Sequence, residues 1–138
     1  MPSKVKIYSD GGARGNPGPA AIGVLVCDEK DAALQEHHEV IGETTNNVAE
    51  YTAVIVGLEI AKTLGAREVD YYVDSELVAY QLSGKYKVKA PHIQVLFAKV
   101  KASEKNFTKI RFTPVPRTHP KLRIVDKLVN RALDEAGH

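Results

Sequence analysis

Two segments of this chain end alike. Lys4-Val5-Lys6-Ile7-Tyr8-Ser9-Asp10 and Val69-Asp70-Tyr71-Tyr72-Val73-Asp74 each carry β-branched and aromatic residues straight into a carboxylate. Runs of this composition read as strands, which places Asp10 and Asp74 at or just past two strand ends. In open α/β sheets the carboxyl ends of the strands, near a switch in strand order, form the usual ligand-binding edge. Two parallel neighbours would bring the acids together there. Like charges held so repel unless one is protonated or a cation lies between them. The pair therefore directs attention first to a metal site.

The rest of the chain supplies the scaffold. After the first strand come the Gly/Pro-rich stretch Gly11 to Pro19, an apolar run over 20–27, the polar turn Asp28 to Asp31, and a half-alternating segment Leu34 to Gly42. Three strands joined by short turns imply an antiparallel meander. Val48, Tyr51, Val54, Ile55, Leu58 and Ala61 recur at helical spacing until Leu64-Gly65, a good helix stop. A strand over 68–73 leads to a short helix from Ser75 to Ser83-Gly84. Pro91 opens another helix through about Ala102, with Ile93, Leu96, Phe97 and Val100 on one face. A fifth strand, Thr108 to Thr113, precedes a Pro-rich turn. Leu122, Val125, Leu128, Val129 and Leu133 then describe a closing amphipathic helix. The expected fold is an α/β mixed five-stranded sheet, a three-strand antiparallel meander plus parallel strands, with flanking helices. Residues 1–138 are expected to form a single domain.

Charge is distributed unevenly along it. The net charge of +2 conceals −7 over residues 1–82 and +9 over 83–138. The acids gather where a cation is expected. The basic half suits a polyanion, because Lys/Arg contacts to phosphate supply most non-specific nucleic-acid affinity. Lys85, Lys87 and Lys89 could equally form one solvated face of an extended segment. Cys27 stands alone in an apolar run, which excludes an internal disulfide and suggests a buried thiol. No apolar segment is long enough to span a bilayer and no charged-then-apolar leader precedes the first strand. A cytoplasmic location, no membrane association and no obligate protein partner are the expectations.

Two further acids occupy telling positions. Glu50 lies near the start of the long helix, beside its sheet-facing stripe, and Asp126 sits between Val125 and Leu128 in the last helix. A first-turn acid can simply complement a helix dipole. Four acids from four elements, two of them matched at strand ends, are harder to explain that way. Oxygen ligands without a His/Cys cluster select a hard ion such as Mg²⁺ or Mn²⁺ over Zn²⁺. His37-His38 would point to opposite faces of a strand and make a poor ligand pair.

Three local sequences then become recognisable. Asp10-Gly11-Gly12-Ala13-Arg14-Gly15-Asn16-Pro17-Gly18-Pro19, Thr44-Thr45-Asn46-Asn47-Val48-Ala49-Glu50 and Val73-Asp74-Ser75-Glu76-Leu77-Val78 resemble the three principal motifs of type 1 ribonuclease H, in the family's order and over nearly the whole chain. The resemblance implies a mixed five-stranded sheet and hydrolysis of the RNA strand of an RNA/DNA hybrid. It carries the family's four metal-binding acids onto Asp10, Glu50, Asp74 and Asp126. Two Mg²⁺ or Mn²⁺ ions about 3.5 to 4 Å apart would serve a two-metal hydrolysis leaving 5′-phosphate and 3′-hydroxyl ends. Asp10 is expected to bridge them, with Asp74 and Glu50 on one side and Asp126 on the other. A non-catalytic hybrid-binding module of the same fold is the competing reading, and double-stranded RNA is a second candidate partner.

Substrate contacts are expected from several residues. Gly11 and Gly12 allow backbone to approach a strand, Asn16 offers an amide and Thr45 a hydroxyl to phosphate, and Arg14 belongs to the same loop. Asn46 and Asn47 suit both helix capping and contact with the hybrid. Glu76 stands where the family often has Gln. Many members place a mobile His ten residues before the last acid, where this chain has Pro116; Arg117 and His119 are the nearest candidates. The short segment Lys85 to Pro91 resembles members without the basic protrusion, leaving Lys85, Lys87 and Lys89 as a reduced handle for the DNA strand.

Overall fold

The computed structural model describes residues 2–138. In chain order the elements are β1 (Lys4–Ala13), β2 (Gly18–Cys27), β3 (Ala33–Thr44), α1 (Asn46–Thr63), β4 (Glu68–Val73), α2 (Glu76–Leu82), α3 (Pro91–Glu104), β5 (Lys109–Pro114) and α4 (Pro120–Glu135). The strands form one sheet in the order β3-β2-β1-β4-β5. β1, β2 and β3 pair antiparallel, whereas β1 with β4 and β4 with β5 pair parallel. The strand order thus reverses at β1, where the meander ends and the parallel strands begin.

The two faces of the sheet are covered differently. Val5, Ile7, Val24, Val26, Val69, Tyr71 and Val73 point to one side, where they pack with α1, α2 and α3. Tyr8, Leu25 and Cys27 point to the other, against Leu122, Val125 and Leu128 of α4. This is the two-residue alternation of strands meeting the periodic stripes of helices. Glycine permits two close approaches of helix backbone to strand. A Cβ on Gly11 would lie 2.3 Å from the Ala49 carbonyl, and one on Gly23 would lie 2.5 Å from the Val125 carbonyl. α1 therefore crosses β1 at Gly11, and α4 crosses β2 at Gly23, each on its own face.

Three local expectations are corrected. Asp10 lies within β1 rather than at its end, because the strand continues through Gly11-Gly12-Ala13, paired with Ile22, Ala21 and Ala20 of β2. The expected Gly/Pro loop contracts to a turn over Arg14–Pro17, closed by an Arg14 N–H donating to the Pro19 carbonyl at 2.8 Å. The long apolar β2 offers a partner over its whole length, and unpaired backbone beside it would be costly. The cap of α1 is Thr45, whose hydroxyl oxygen accepts from Val48 N at 3.2 Å, and not Asn46 or Asn47. Cys27 is free and buried, as expected.

Candidate active site

Register alone brings the two strand acids level. The last parallel β1–β4 pair is Tyr8 with Tyr72, and Asp10 and Asp74 each lie two residues further on. Side chains two apart share a face, so both point to the α4 side along with Tyr8 and Tyr72. Glu50 arrives from the opposite layer. The contact of Gly11 with Ala49 sets the first turns of α1 hard against β1, and Glu50 follows directly. Oxygens of Asp10, Glu50 and Asp74 come within 4.8 Å of one another. Asp126, from α4, lines the same open cleft of about 470 Å³ but stands outside that close triad.

The cluster is electrostatically loaded. Burial, with the nearby Asp74 and Asp126 charges, pushes the Asp10 carboxyl up to about 7, although Gly11 N–H donates to it and Arg117 lies near. Glu50 is pushed up to about 8 by burial and by Asp74 and Asp10, against the opposing effects of a Ser75 hydrogen bond and Arg117. Burial also raises Asp74, partly offset by the Arg117 guanidinium, whose Nε lies 3.6 Å from Asp74 Oδ2. Converging carboxylates of this kind fit a hard divalent cation, which would replace their mutual repulsion by attraction. Among the described residues this is the one group of three or more acidic, His or Cys side chains with such spacing.

Polar and basic groups form the rim. Gly11, Gly12, Ala13, Arg14, Asn46, Ser75, Arg117 and Asn130 line the cleft with the acids. Asn46 Oδ1 accepts from Ala13 N at 2.8 Å, stitching α1 to the end of β1. Ser75 caps α2, accepting from Val78 N at 3.2 Å, and so stands fixed beside Glu50. Ser75 and Asn130 were absent from the sequence-based set. Ser75 had a readable signal in its position between Asp74 and a helix start; Asn130 had none, because its place depends on how α4 docks.

Other expected contacts lie apart from the cleft wall. Asn16 Oδ1 accepts from Asn46 N at 3.0 Å and helps fix the turn. Thr45, Asn47 and Glu76 do not line the cleft, and neither do Lys85, Lys87 and Lys89, which are exposed between α2 and α3. Lys85 Nζ lies 4.9 Å from the Tyr80 ring centroid. His119 is engaged structurally: it caps α4, its Nδ1 accepts from Lys121 N at 3.1 Å, and its ring stacks on Tyr8 with centroids 5.4 Å apart. His37 and His38 do point apart, pairing at 3.0 Å with Glu39 and with Glu135 of α4 respectively.

Known proteins resemble this chain in sequence and in fold. A family model described as reverse transcriptase-like matches residues 8–132. The chain is 43% identical over 135 residues to a bifunctional protein of Mycobacterium tuberculosis, a match covering 97% of this chain and 36% of that protein. It thus spans little more than a third of the length of such curated relatives. Ribonuclease HI of Halobacterium salinarum is 36% identical over 133 residues, covering 96% of this chain and 66% of that protein. Among solved structures, LC11-RNase H1, isolated from compost by a metagenomic approach, matches in its complex with RNA/DNA hybrid. That match has a TM-score of 0.91 at 45% identity and covers 97% of this chain and 99% of the other. Because the matched residues run from Tyr8 to Ala132 and include every element that brings an acid to the cleft, the chain belongs to the type 1 ribonuclease H family.

Proposed function

We propose that this chain is an endoribonuclease that hydrolyses the RNA strand of RNA/DNA hybrids, leaving 5′-phosphate and 3′-hydroxyl ends. The observation that carries the reading is the convergence of Asp10, Glu50 and Asp74 within 4.8 Å, in an open cleft walled by backbone and polar groups. Asp10, Glu50 and Asp74 would hold divalent metal, Mg²⁺ or Mn²⁺, with Asp126 the fourth acid for a second ion. When bound, such ions activate water and stabilise charge on the departing oxygen.

The chain's own residues do the rest. Asp10 and Asp74 are held by the sheet and Glu50 by the first turns of α1, so the anionic set is assembled before substrate arrives. Gly12 leaves the cleft floor without a side chain, so a sugar-phosphate strand can come close to the β1 backbone, while Gly11 lets α1 bring Glu50 up to the same strand. Arg117, 83% exposed beside Asp74, offers a mobile cation to phosphate. Selectivity for RNA rests on donors and acceptors that can meet a 2′-hydroxyl, with Asn46 and the β1 backbone the nearest groups. Lys85, Lys87 and Lys89 would follow the DNA strand outside the cleft. A cytoplasmic site of action is part of this reading; no helix among the described residues is long and apolar enough to cross a membrane.

A non-catalytic hybrid-binding module is disfavoured by the acids themselves, since uncompensated carboxylates would repel phosphate. The test is incubation with end-labelled hybrid, double-stranded RNA and double-stranded DNA, each with Mg²⁺, Mn²⁺ or chelator. Cleavage of the hybrid RNA strand that stops with chelator or with Asp10→Asn is expected. Metal-independent binding without product would establish the binding module instead. Product from double-stranded RNA would widen the substrate class.

A further inference from the structure

The turn between β1 and β2 is clipped to α4 by one arginine. Arg14 Nη1 lies 2.8 Å from Asp134 Oδ1, and its Nη2 donates to Asn130 Oδ1 at 3.2 Å and to the Asn130 carbonyl at 3.4 Å. The Asn130 amide is itself oriented. Its Nδ2 donates to the Asp126 carbonyl at 3.0 Å, which leaves Oδ1 turned to accept from Arg14. Asp126, Asn130 and Asp134 follow one another at intervals of four, a single stripe along α4. The same stripe therefore carries an acid of the cleft and both side chains that hold Arg14.

Arg14 lies on the cleft wall with Gly12 and Ala13, while Arg117 lies beside Asp74. The Arg14 Nε–H makes no hydrogen bond among the described residues. A guanidinium presents its donors in a rigid fork matched to phosphate oxygens. Asp134 is 68% exposed, so its ion pair contributes little stability of its own. What the pair and Asn130 do is hold a long, flexible side chain in one orientation.

Resting on the ribonuclease reading above, we infer that Arg14 binds a phosphodiester of the strand to be cleaved, at a position flanking the one under attack. Asn130 and Asp134 are positioning residues that hold its guanidinium ready. The clip sets the reach of the contact along the strand. A free arginine on the same turn would pay more conformational entropy for the same hydrogen bonds.

The experiment measures hybrid affinity across a salt series in Ca²⁺, using protein already carrying Asp10→Asn. Arg14→Ala is expected to weaken binding about tenfold and lower the log-log salt slope by about 0.9, one phosphate contact on the B-form scale. Arg14→Lys keeps the charge but not the fork, and should recover the slope while recovering only part of the affinity. Asn130→Ala and Asp134→Asn should each weaken binding several-fold when Arg14 is present. In the Arg14→Ala background, Asp134→Asn should leave affinity equal or improve it, because only removal of a negative charge remains. That reversal separates positioning from general electrostatics. In turnover assays the losses should fall on KM more than on kcat. Unchanged affinity and slope in Arg14→Ala, or additive effects throughout the cycle, would overturn the inference. Cleavage by the unmodified chain is assayed alongside: if it cuts no hybrid, the ribonuclease reading itself fails, whatever Arg14 does.

Discussion

At the scale of single residues, the cleft acids make the metal-free protein sensitive to pH in a definite direction. Asp10 is raised from 3.8 to about 7 and Glu50 from 4.5 to about 8. A carboxyl whose folded value exceeds its unfolded one favours the folded state most at pH below about 4, and that advantage is lost as pH rises through 7 to 8. Without metal, stability should therefore fall between pH 4 and pH 8. Asp10→Asn removes one of the repelling charges and should stabilise the metal-free protein at pH 8 by about 2 kcal/mol, while abolishing cleavage. Thermal unfolding in chelator at pH 5 and pH 8 checks this; a mutant no more stable than the parent at pH 8 would refute it. Adding Mg²⁺ to the parent at pH 8 should recover most of the same stability, because a cation among the acids relieves the repulsion that the mutation removes.

At the scale of elements, the decisive contact is the crossing of α1 over β1. Gly11→Ala would thrust a Cβ to 2.3 Å from the Ala49 carbonyl. Backbone cannot yield as the end of a side chain can, so the helix must shift away from the strand. A destabilisation of about 1 to 3 kcal/mol is expected, together with weaker Mn²⁺ binding, because the shift moves Glu50 relative to Asp10. Calorimetric titration with Mn²⁺ reads the second effect directly; metal affinity equal to the parent's would show that the crossing does not set the site. Thr45→Ala removes the hydroxyl that caps α1. It should cost about 1 kcal/mol in chemical denaturation, and Thr45→Ser should restore most of it.

At the scale of the whole molecule, charge is partitioned along the chain, −7 over residues 1–82 and +9 over 83–138. The basic half carries +9, and its exposed Lys85, Lys87 and Lys89 lie away from the cleft. Joint replacement by Ala should weaken hybrid binding and flatten its salt dependence by about two to three units, if each lysine meets a phosphate, with chemistry at the acids spared. Binding by the Asp10→Asn protein in Ca²⁺ over a salt series measures the slope. A slope unchanged by the triple replacement would mean that these lysines form only a solvated face. Because the Arg14 experiment uses the same assay, contacts inside and outside the cleft can be compared on one scale.

Residue type and spacing were enough to write the elements. The two β-branched and aromatic runs ending in acids, the short-turned strands after the first, and the periods of α1 and α4 led to the five-stranded mixed sheet that is observed. The motifs around Asp10, Glu50 and Asp74 also led to the triad, since each acid is tied to its own element by local sequence. What a sequence could not contain was the outcome of pairing between distant segments. Gly11 to Ala13 read as loop because glycine has little strand preference of its own, yet β2 draws them into the sheet as far as Ala13 with Ala20. Thr45 displaced Asn46 and Asn47 as the cap because Asn46 was taken by Ala13 and Asn16, both some thirty residues earlier. His119 took up the α4 cap and a stack on Tyr8, a partner more than a hundred residues earlier. Asn130 and Asp134 gained a role only when α4 settled over Gly23 and turned their stripe toward Arg14. Local propensity is carried by neighbours in the chain; which polar group meets which is decided by the close approach of elements far apart in it, and that was settled by tertiary packing.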